Sequence, residues 1–191
     1  MTTISLLDLQ ALPLTGEAKS KIQKSLNKLS FNKDQTIFHQ GEVCTSLYFI
    51  RSGLVKLSYI TTEGKELIKS FIAEGGMFGS LYSQLTGEGS TFNATALEDL
   101  AVDVLDYTAL IQAGENSLEM QKIFVNFFQQ LALSKEMREY EFLCLSAQQR
   151  YKKFCEQYPQ IVSRIRQADL ALYLGITPIA LSRLKHRSSG E

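Results

Sequence analysis

The sequence has few of the residues that covalent, redox or metal chemistry requires. Its 191 residues include three cysteines and two histidines. Cys44, Cys144 and Cys155 lie far apart, and no two of them stand in Cys-x-x-Cys spacing. An odd, scattered set of this kind predicts neither a disulfide framework nor a zinc or iron–sulfur site. We expect reduced, buried thiols in a cytoplasmic protein, and no metal or other cofactor.

Signals for export and for membrane insertion are also missing. Residues Met1 to Leu14 lack a basic start and a long apolar run, so they do not resemble a signal peptide. No stretch approaches the about 18 consecutive apolar residues that a membrane span needs. We therefore expect a soluble, cytoplasmic protein that has no membrane partner.

Catalytic motifs are equally scarce. His39 and His186 are the only histidines, and neither has a Ser, Cys or carboxylate at an interpretable spacing. The Gly-x-Ser-x-Gly nucleophile motif is absent. Gly64-Lys65 is followed by Glu66, where a phosphate-binding P-loop would have Ser or Thr. We predict that the chain is not an enzyme.

The formal net charge is zero, which argues against a protein that coats nucleic acid or membranes indiscriminately. The charge is unevenly spread, however. From Arg150 onward there are eight basic and three acidic residues, so this end carries +5 and the remainder −5. An acidic body with a basic end is typical of a sensor joined to a DNA-contacting module.

The segment from Phe31 to Leu105 contains short runs of alternating apolar and polar residues, separated by glycine-containing turns. This pattern predicts an antiparallel β-barrel or jelly roll. The predicted strands are Thr36–His39, Leu47–Ile50, Leu54–Ile60, Leu67–Ile72, Thr91–Ala96 and Leu100–Leu105.

Helices flank the predicted barrel. Ile4 to Leu29 is predicted to be helical with Thr15 as an N-cap, and Asp106 to Ala113 is predicted to be a brief helix. Ser117 to about Leu145 contains no Pro or Gly and predicts one long helix. Its apolar residues need cover, from the barrel on one side and, we expect, from a second copy on the other. The alternative is that the barrel alone covers it. The predicted dimer contacts are Phe124, Phe127, Leu131, Met137 and Tyr140.

The stretch from Gln167 to Lys185 predicts a helix-turn-helix. Leu170, Ala171 and Leu174 give a short helix one apolar face, and Gly175 supplies a turn residue that adopts a left-handed conformation without steric cost. Thr177 is then the N-cap of a second helix with Pro178 at its first position. In a helix-turn-helix the second helix enters the major groove of DNA. The alternative, an ordinary helical hairpin, explains less of this spacing.

These features together resemble the Crp/Fnr family of bacterial transcription regulators. The resemblance is carried by Gly41-Glu42, Leu47–Val55, Gly76-Met-Phe-Gly79 and Leu174–Pro178 with Leu181-Ser-Arg183. It implies an α+β protein that forms homodimers. The implied parts are a cyclic nucleotide-binding-like jelly-roll barrel over residues 1–113, a long connecting and dimerisation helix over 114–146, and an all-α helix-turn-helix domain over 147–191.

Two departures from the family concern the ligand. Cyclic-nucleotide-binding members have Glu after Phe-Gly to hold the ribose, and Arg to pair with the cyclic phosphate. This chain has Ser80 and Ser90 at those places and keeps a hydroxyl at Thr91. Without that Arg, a strong charge-assisted bond is lost, so we expect no cyclic AMP bound in the family's usual way. The effector, if there is one, is unknown, and its implied pocket consists of Phe78, Gly79, Ser80, Leu81, Ser90 and Thr91.

Other departures concern DNA. The recognition helix of the best-studied members opens with base-reading Arg-Glu, whereas this chain has Pro178-Ile179, and only Arg183 matches a base-reading Arg. Because the sequence continues for only six residues after Lys185, we expect the β-hairpin wing that usually follows to be missing. The resemblance implies palindromic double-stranded DNA as a partner, with RNA polymerase as a further candidate. The implied DNA contacts are Arg166, Gln167, Thr177, Pro178, Ile179, Ser182, Arg183, Lys185 and Arg187.

Two functions from different classes remain open at this point. The first is a dimeric transcription regulator. The second is a ligand-sensing or protein-interaction module whose DNA-binding end is vestigial. Only the first predicts a preference for particular DNA sequences.

Overall fold

A computed structural model of the chain describes residues 14–188, with side chains described as far as His186. The first helix, α1, spans Gly16–Ser25 and is capped at Thr15, whose Oγ1 accepts a hydrogen bond from the Ala18 N–H at 3.3 Å. The predicted extension of this helix to Leu29 is wrong. Asn27–Phe31 is strand β1, which pairs with a later strand, and Leu29 is exposed. The part predicted before Leu14 lies outside the described residues.

Within residues 14–188, eight strands form two four-stranded sheets in the jelly-roll arrangement that the sequence predicts. The sheet orders are β1-β8-β3-β6 and β2-β7-β4-β5, and every pairing is antiparallel. All six predicted strands are present, and β1 and β6 are additional. After β1, the strand bounds are β2 Thr36–Phe38, β3 Ser46–Ser52, β4 Leu54–Ile60, β5 Glu66–Ala73, β6 Met77–Phe78, β7 Asn93–Ala96 and β8 Leu100–Asp106.

The space between the two sheets is filled by apolar side chains from alternating strand positions, which is how such a barrel forms its core. Phe38 lies at the centre, and its ring contacts those of Tyr48, Phe78 and Phe92 with centroids 5.6–6.3 Å apart. Fully buried Ile50, Val55, Ala94, Ala96 and Val102 complete this cluster.

Two short helices close one side of the barrel. Helix α2 spans Leu81–Thr86, is capped by the Ser80 hydroxyl and ends at Gly87. Helix α3 spans Tyr107–Gly114, and the Asp106 carboxylate caps it by accepting from the Ala109 N–H at 2.9 Å. The predicted helix at this position is therefore confirmed.

The predicted long helix is present as α4, which spans Leu118–Cys144 and has Ser117 as its N-cap. Half-buried Phe124, Phe127 and Leu131 lie towards the barrel. The opposite side exposes large apolar residues, which we call the outer face of α4: Leu118, Val125, Leu133, Met137, Tyr140 and Leu143. Over residues 14–188, no helix combines the length and the hydropathy of a membrane span.

Four helices follow α4 and pack against the barrel. They are α5 Ala147–Gln157, α6 Pro159–Val162, α7 Gln167–Leu174 and α8 Pro178–Ser188. Helix α5 begins with a capping box between Ser146 and Gln149. These helices share one apolar cluster with strands β4 and β5, which includes Leu54, Ile68, Phe71, Phe154, Leu170, Leu174 and Leu181. The predicted boundary at residue 147 therefore separates elements that share a core.

Candidate nucleic-acid interface and barrel cavity

Helices α7 and α8 meet at a tight turn centred on Gly175. This residue has φ +69°, the left-handed conformation that glycine adopts without strain. The Gly175 N–H donates to the Leu172 carbonyl at 3.1 Å, and the Ile176 N–H donates to the Ala171 carbonyl at 3.0 Å. A side chain at Gly175 would also come within 2.8 Å of the Phe142 ring of α4. The turn therefore needs glycine for both its backbone and its contact with the long helix.

Helix α8 begins as the sequence predicts. The Thr177 hydroxyl accepts from the Ala180 N–H at 3.2 Å, and Pro178 is the first helical residue. Leu181 is fully buried against α7, whereas Thr177, Pro178, Ile179, Arg183 and His186 are exposed. Ser182 and Lys185 are half-buried. Helix α8 thus presents a solvent-facing side that includes Arg183. Arg187 lies in its last turn, and its side chain is outside the described part.

The predicted phosphate contacts at the start of α7 are in different situations. Gln167 is exposed. The guanidinium of Arg166 forms an ion pair with the Asp34 carboxylate of the barrel, between side chains that are both largely exposed. Arg166 can therefore contact a DNA phosphate only by exchanging one anionic partner for another.

Arg150 connects the end of α7 to the end of α4. Its guanidinium donates to the Leu174 carbonyl at 2.8 Å and also to the carbonyl of Leu145. Arg138 of α4 lies over the Tyr173 ring of α7, 3.9 Å from its centroid. The long helix is thus joined to the helix-turn-helix by two arginines. No sequence pattern indicated these two roles.

Charged side chains also join α7 to the barrel. Lys56 of β4 places its Nζ 3.0 Å from Glu66 Oε1 and 3.2 Å from Asp169 Oδ1 of α7. Only 12% of the Lys56 side chain and 8% of the Asp169 side chain are exposed. Arg164, just before α7, pairs with Glu74 and Glu98 of the barrel. These bonds to Arg164 lower the pKa of Glu74 and raise that of Arg164.

A cavity of about 370 Å³ lies between β5, α2, α3 and α4, and we call it the barrel cavity. Phe78, Gly79, Leu81 and Thr91 of the predicted ligand pocket form part of its wall. Ser80 and Ser90 are absent from the wall because both are buried and bonded within the chain. The Ser80 hydroxyl accepts from the Ser83 N–H at 3.3 Å, and the Ser90 hydroxyl donates to the Phe92 carbonyl at 2.9 Å.

The predicted dimer contacts fall on two sides of α4. Phe124, Phe127 and Leu131 form part of the wall of the barrel cavity, whereas Met137 and Tyr140 lie on the outer face. In a single chain the first three residues therefore already have the barrel as a neighbour. Among residues 14–188, no group of three or more His, Cys, Asp or Glu side chains is arranged to hold a metal ion.

Comparison with known proteins gives matches over most of the chain. Residues 28–117 match the model of the cyclic nucleotide-binding domain family. The chain is 28% identical over 175 residues to the fumarate and nitrate reduction regulatory protein of Vibrio cholerae, covering 84% of this chain and 68% of that protein.

Solved structures share the fold. FixK2 from Bradyrhizobium japonicum superposes with a TM-score of 0.75 and 18% identity, covering 85% of this chain and 83% of FixK2. A Crp/Fnr-family putative transcriptional regulator from Eubacterium rectale superposes with a TM-score of 0.69 and 16% identity, covering 90% of this chain and 82% of that one. The α+β fold with a cyclic nucleotide-binding-like barrel is therefore shared with such regulators.

Proposed function

Because the chain belongs to the Crp/Fnr family of transcription regulators, we propose that it binds a palindromic operator as a homodimer and reads bases with helix α8. The observation that carries this proposal is the solvent-facing side of α8. It presents Arg183 on a helix whose opposite side is held by fully buried Leu181. Such a regulator acts in the cytoplasm, where its DNA is, and RNA polymerase is a further partner.

The residues of α8 have different roles in this proposal. Arg183 is the residue for a bidentate contact to guanine, because two N–H donors of its planar guanidinium match the O6 and N7 acceptors that guanine presents in the major groove. Ser182 lies on the same turn of the helix as Arg183 and contacts a neighbouring base. Pro178 and Ile179, at the start of the helix, form apolar contacts. Lys185 and Arg187, near the end of the helix, contact phosphates, as do Arg166 and Gln167 at the start of α7.

Selection from a random double-stranded DNA library tests this function. We expect a palindrome whose half-sites are centred about one helical turn, ~34 Å, apart, which mirrors the two-fold axis of a dimer. The alternative of a sensing module with a vestigial DNA-binding end predicts no enriched motif. Selection that enriches no palindrome would therefore reject the regulator and favour the alternative.

The outer face of α4 is the surface that we assign to the dimer. It is apolar and runs the length of a 27-residue helix, and a second copy of the same face would cover it. Light scattering of the wild type at micromolar concentration should give the mass of a dimer. Leu133→Glu should give monomer or aggregate, because it places a charge in an apolar interface. Gln148→Glu, at an exposed position of α5 outside this face, is the control and should remain dimeric. A stable wild-type monomer would contradict the assignment.

The effector of this regulator is not cyclic AMP bound in the family's usual way. The places of the ribose-binding Glu and the phosphate-binding Arg are taken by Ser80 and Ser90, which are buried and engaged with their own chain. A cyclic phosphate would have no cation at its usual position. Calorimetry with millimolar cyclic AMP should detect no saturable binding, and a micromolar dissociation constant would contradict this part of the proposal.

A further inference from the structure

The barrel cavity is apolar over most of its wall and contains two cations. Phe78, Phe92, Phe124, Phe127 and Leu131 contribute apolar surface, and Lys69 of β5 and Lys135 of α4 also line it. Its volume of about 370 Å³ lies in the range of small-molecule sites. A cavity of this size and character can hold one small organic molecule.

Lys69 has aromatic rings where a buried lysine ordinarily has a carboxylate. Its Nζ lies 3.5 Å from the centroid of the Phe92 ring and 5.6 Å from that of Tyr59. No carboxylate of residues 14–188 lies within ion-pairing distance of it. Lys56 on the neighbouring strand has two such partners, Glu66 of β5 and Asp169 of α7.

Lys135, an exposed residue of α4 that also lines the cavity, adds a second positive charge there. Burial and then the charge of Lys135 lower the pKa of Lys69 to about 8, and partial burial and the charge of Arg138 lower the pKa of Lys135. Lys135 therefore disfavours the charged state of Lys69. An anion between them would remove both the repulsion and part of the desolvation cost.

The rest of the wall decides what kind of anion fits. A polyanion or a sugar would bring more polar groups than the wall can bind, and each unpaired polar group would be costly. An aromatic or alkyl body loses nothing there, since it exchanges water for the ring of Phe92, just before β7, and the phenylalanine rings of α4.

We infer that the barrel cavity binds a small apolar monocarboxylate, with its carboxylate at Lys69 and Lys135 and its apolar body against Phe124 and Phe127. This names the chemical class of the effector of the proposed regulator. The role of the ligand as an effector rests on the proposed function, whereas its binding to the cavity does not. Binding itself requires no DNA. The cations for the anionic group are thus on β5 and α4, whereas cyclic-nucleotide-binding members have their phosphate-binding Arg at the position of Ser90.

Calorimetry at pH 7 without DNA tests this inference with two acids, hydrocinnamate and decanoate. We expect at least one to bind with a micromolar dissociation constant. The uncharged amide of the acid that binds has the same apolar body and should bind at least about tenfold more weakly, since it offers the lysines no negative charge. If neither acid binds below millimolar concentration, or if the amide binds as well as the acid, the inference is wrong.

Matched variants locate the site. Lys69→Met keeps an apolar stem and removes the charge, so it should weaken acid binding at least about tenfold. Lys65→Met, four residues away in the exposed turn before β5, should leave it unchanged. Equal acid binding by wild type and Lys69→Met would reject the site. If Lys69→Met did not fold, the comparison of acid with amide on the wild type would still decide. The DNA selection contains no acid. Its failure would therefore reject the proposed function, whereas failure of acid binding would reject only the inference about the cavity.

Discussion

Two partly buried lysines on neighbouring strands of one sheet have different surroundings. Lys56 of β4 contacts the carboxylates of Glu66 and Asp169 at the junction with α7. Lys69 of β5 lines the barrel cavity and lies over the rings of Phe92 and Tyr59. The ammonium of Lys56 therefore has two anionic partners, whereas that of Lys69 has none within ion-pairing distance among residues 14–188.

The energetic consequence of this difference can be estimated. Two close carboxylates largely offset the cost of taking a lysine out of water, and a cation over an aromatic ring gains only about 0.5–2 kcal/mol. Lys56 thus stabilises the docking of α7 on the barrel, and Lys69 destabilises the empty protein. Stability given up at one position is typical of a binding site.

The largest expected effect comes from breaking the Lys56 junction. Lys56→Met should lower the free energy of unfolding by about 3 kcal/mol, because it leaves the Asp169 carboxylate buried without a cation. Urea denaturation measures the change. Lys21→Met, which breaks the exposed pair with Glu17 on α1, is the control and should change stability by less than about 1 kcal/mol. Equal changes in the free energy of unfolding would show that the buried Lys56 junction stabilises the fold no more than an exposed ion pair does.

The second change removes the unpaired lysine and should act in the opposite direction. Lys69→Met should raise the free energy of unfolding of the empty protein at pH 7 by about 1–2 kcal/mol, because an unfavourable buried charge is removed. The same denaturation experiment measures it. A destabilised Lys69→Met variant would mean that the aromatic rings satisfy the ammonium group, and the comparison with Lys56 would fail.

The pH dependence of stability sharpens this contrast. The folded pKa of Lys69, about 8, lies below its unfolded value of 10.5. The unfolded chain therefore binds more protons between these values, so stability should rise with pH across that window. The destabilisation is fully present below pH 8. The difference between wild type and Lys69→Met should shrink from pH 8 to 10.5, and a constant difference would contradict the cause assigned here.

The smallest effect is expected at the exposed pair of Arg166 and Asp34. Asp34→Asn should change the free energy of unfolding by at most about 1 kcal/mol, because both side chains are solvated. It should also release Arg166 for a phosphate, so DNA affinity should rise slightly, most clearly at low salt. Unfolding and DNA titration on the same samples measure both. A loss of several kcal/mol would place this pair with Lys56 as part of the junction.

Local signals in the sequence were enough for much of the fold. Thr15 and Thr177 were recognisable as helix N-caps because each hydroxyl bonds to a backbone group only three residues away. Alternating apolar residues likewise revealed six of the eight strands. Strand β1 was missed because Asn27–Phe31 is largely exposed and owes its conformation to pairing with β8.

The charged contacts could not be predicted in this way. Lys56 and Asp169 are 113 residues apart, and nothing near either one names its partner. Lys69 stands in an ordinary strand pattern, and only the packing of α4 over β5 shows that it faces a cavity. Of the pocket implied by resemblance, Phe78, Gly79, Leu81 and Thr91 line the cavity, and no sequence pattern indicated that Lys69 and Lys135 line it too. Whether any of these residues binds a ligand stays a prediction.

One affinity comparison tests most directly whether α8 reads DNA bases through Arg183. The selected operator is compared with a variant that has one guanine pair exchanged in each half-site, using wild type and Arg183→Ala. We expect wild type to prefer the selected operator by about 10- to 100-fold and Arg183→Ala to lose most of that preference. Lys185→Ala should keep the preference and bind both DNAs more weakly. If Arg183→Ala kept the full preference at every guanine pair tested, α8 would not be the recognition helix.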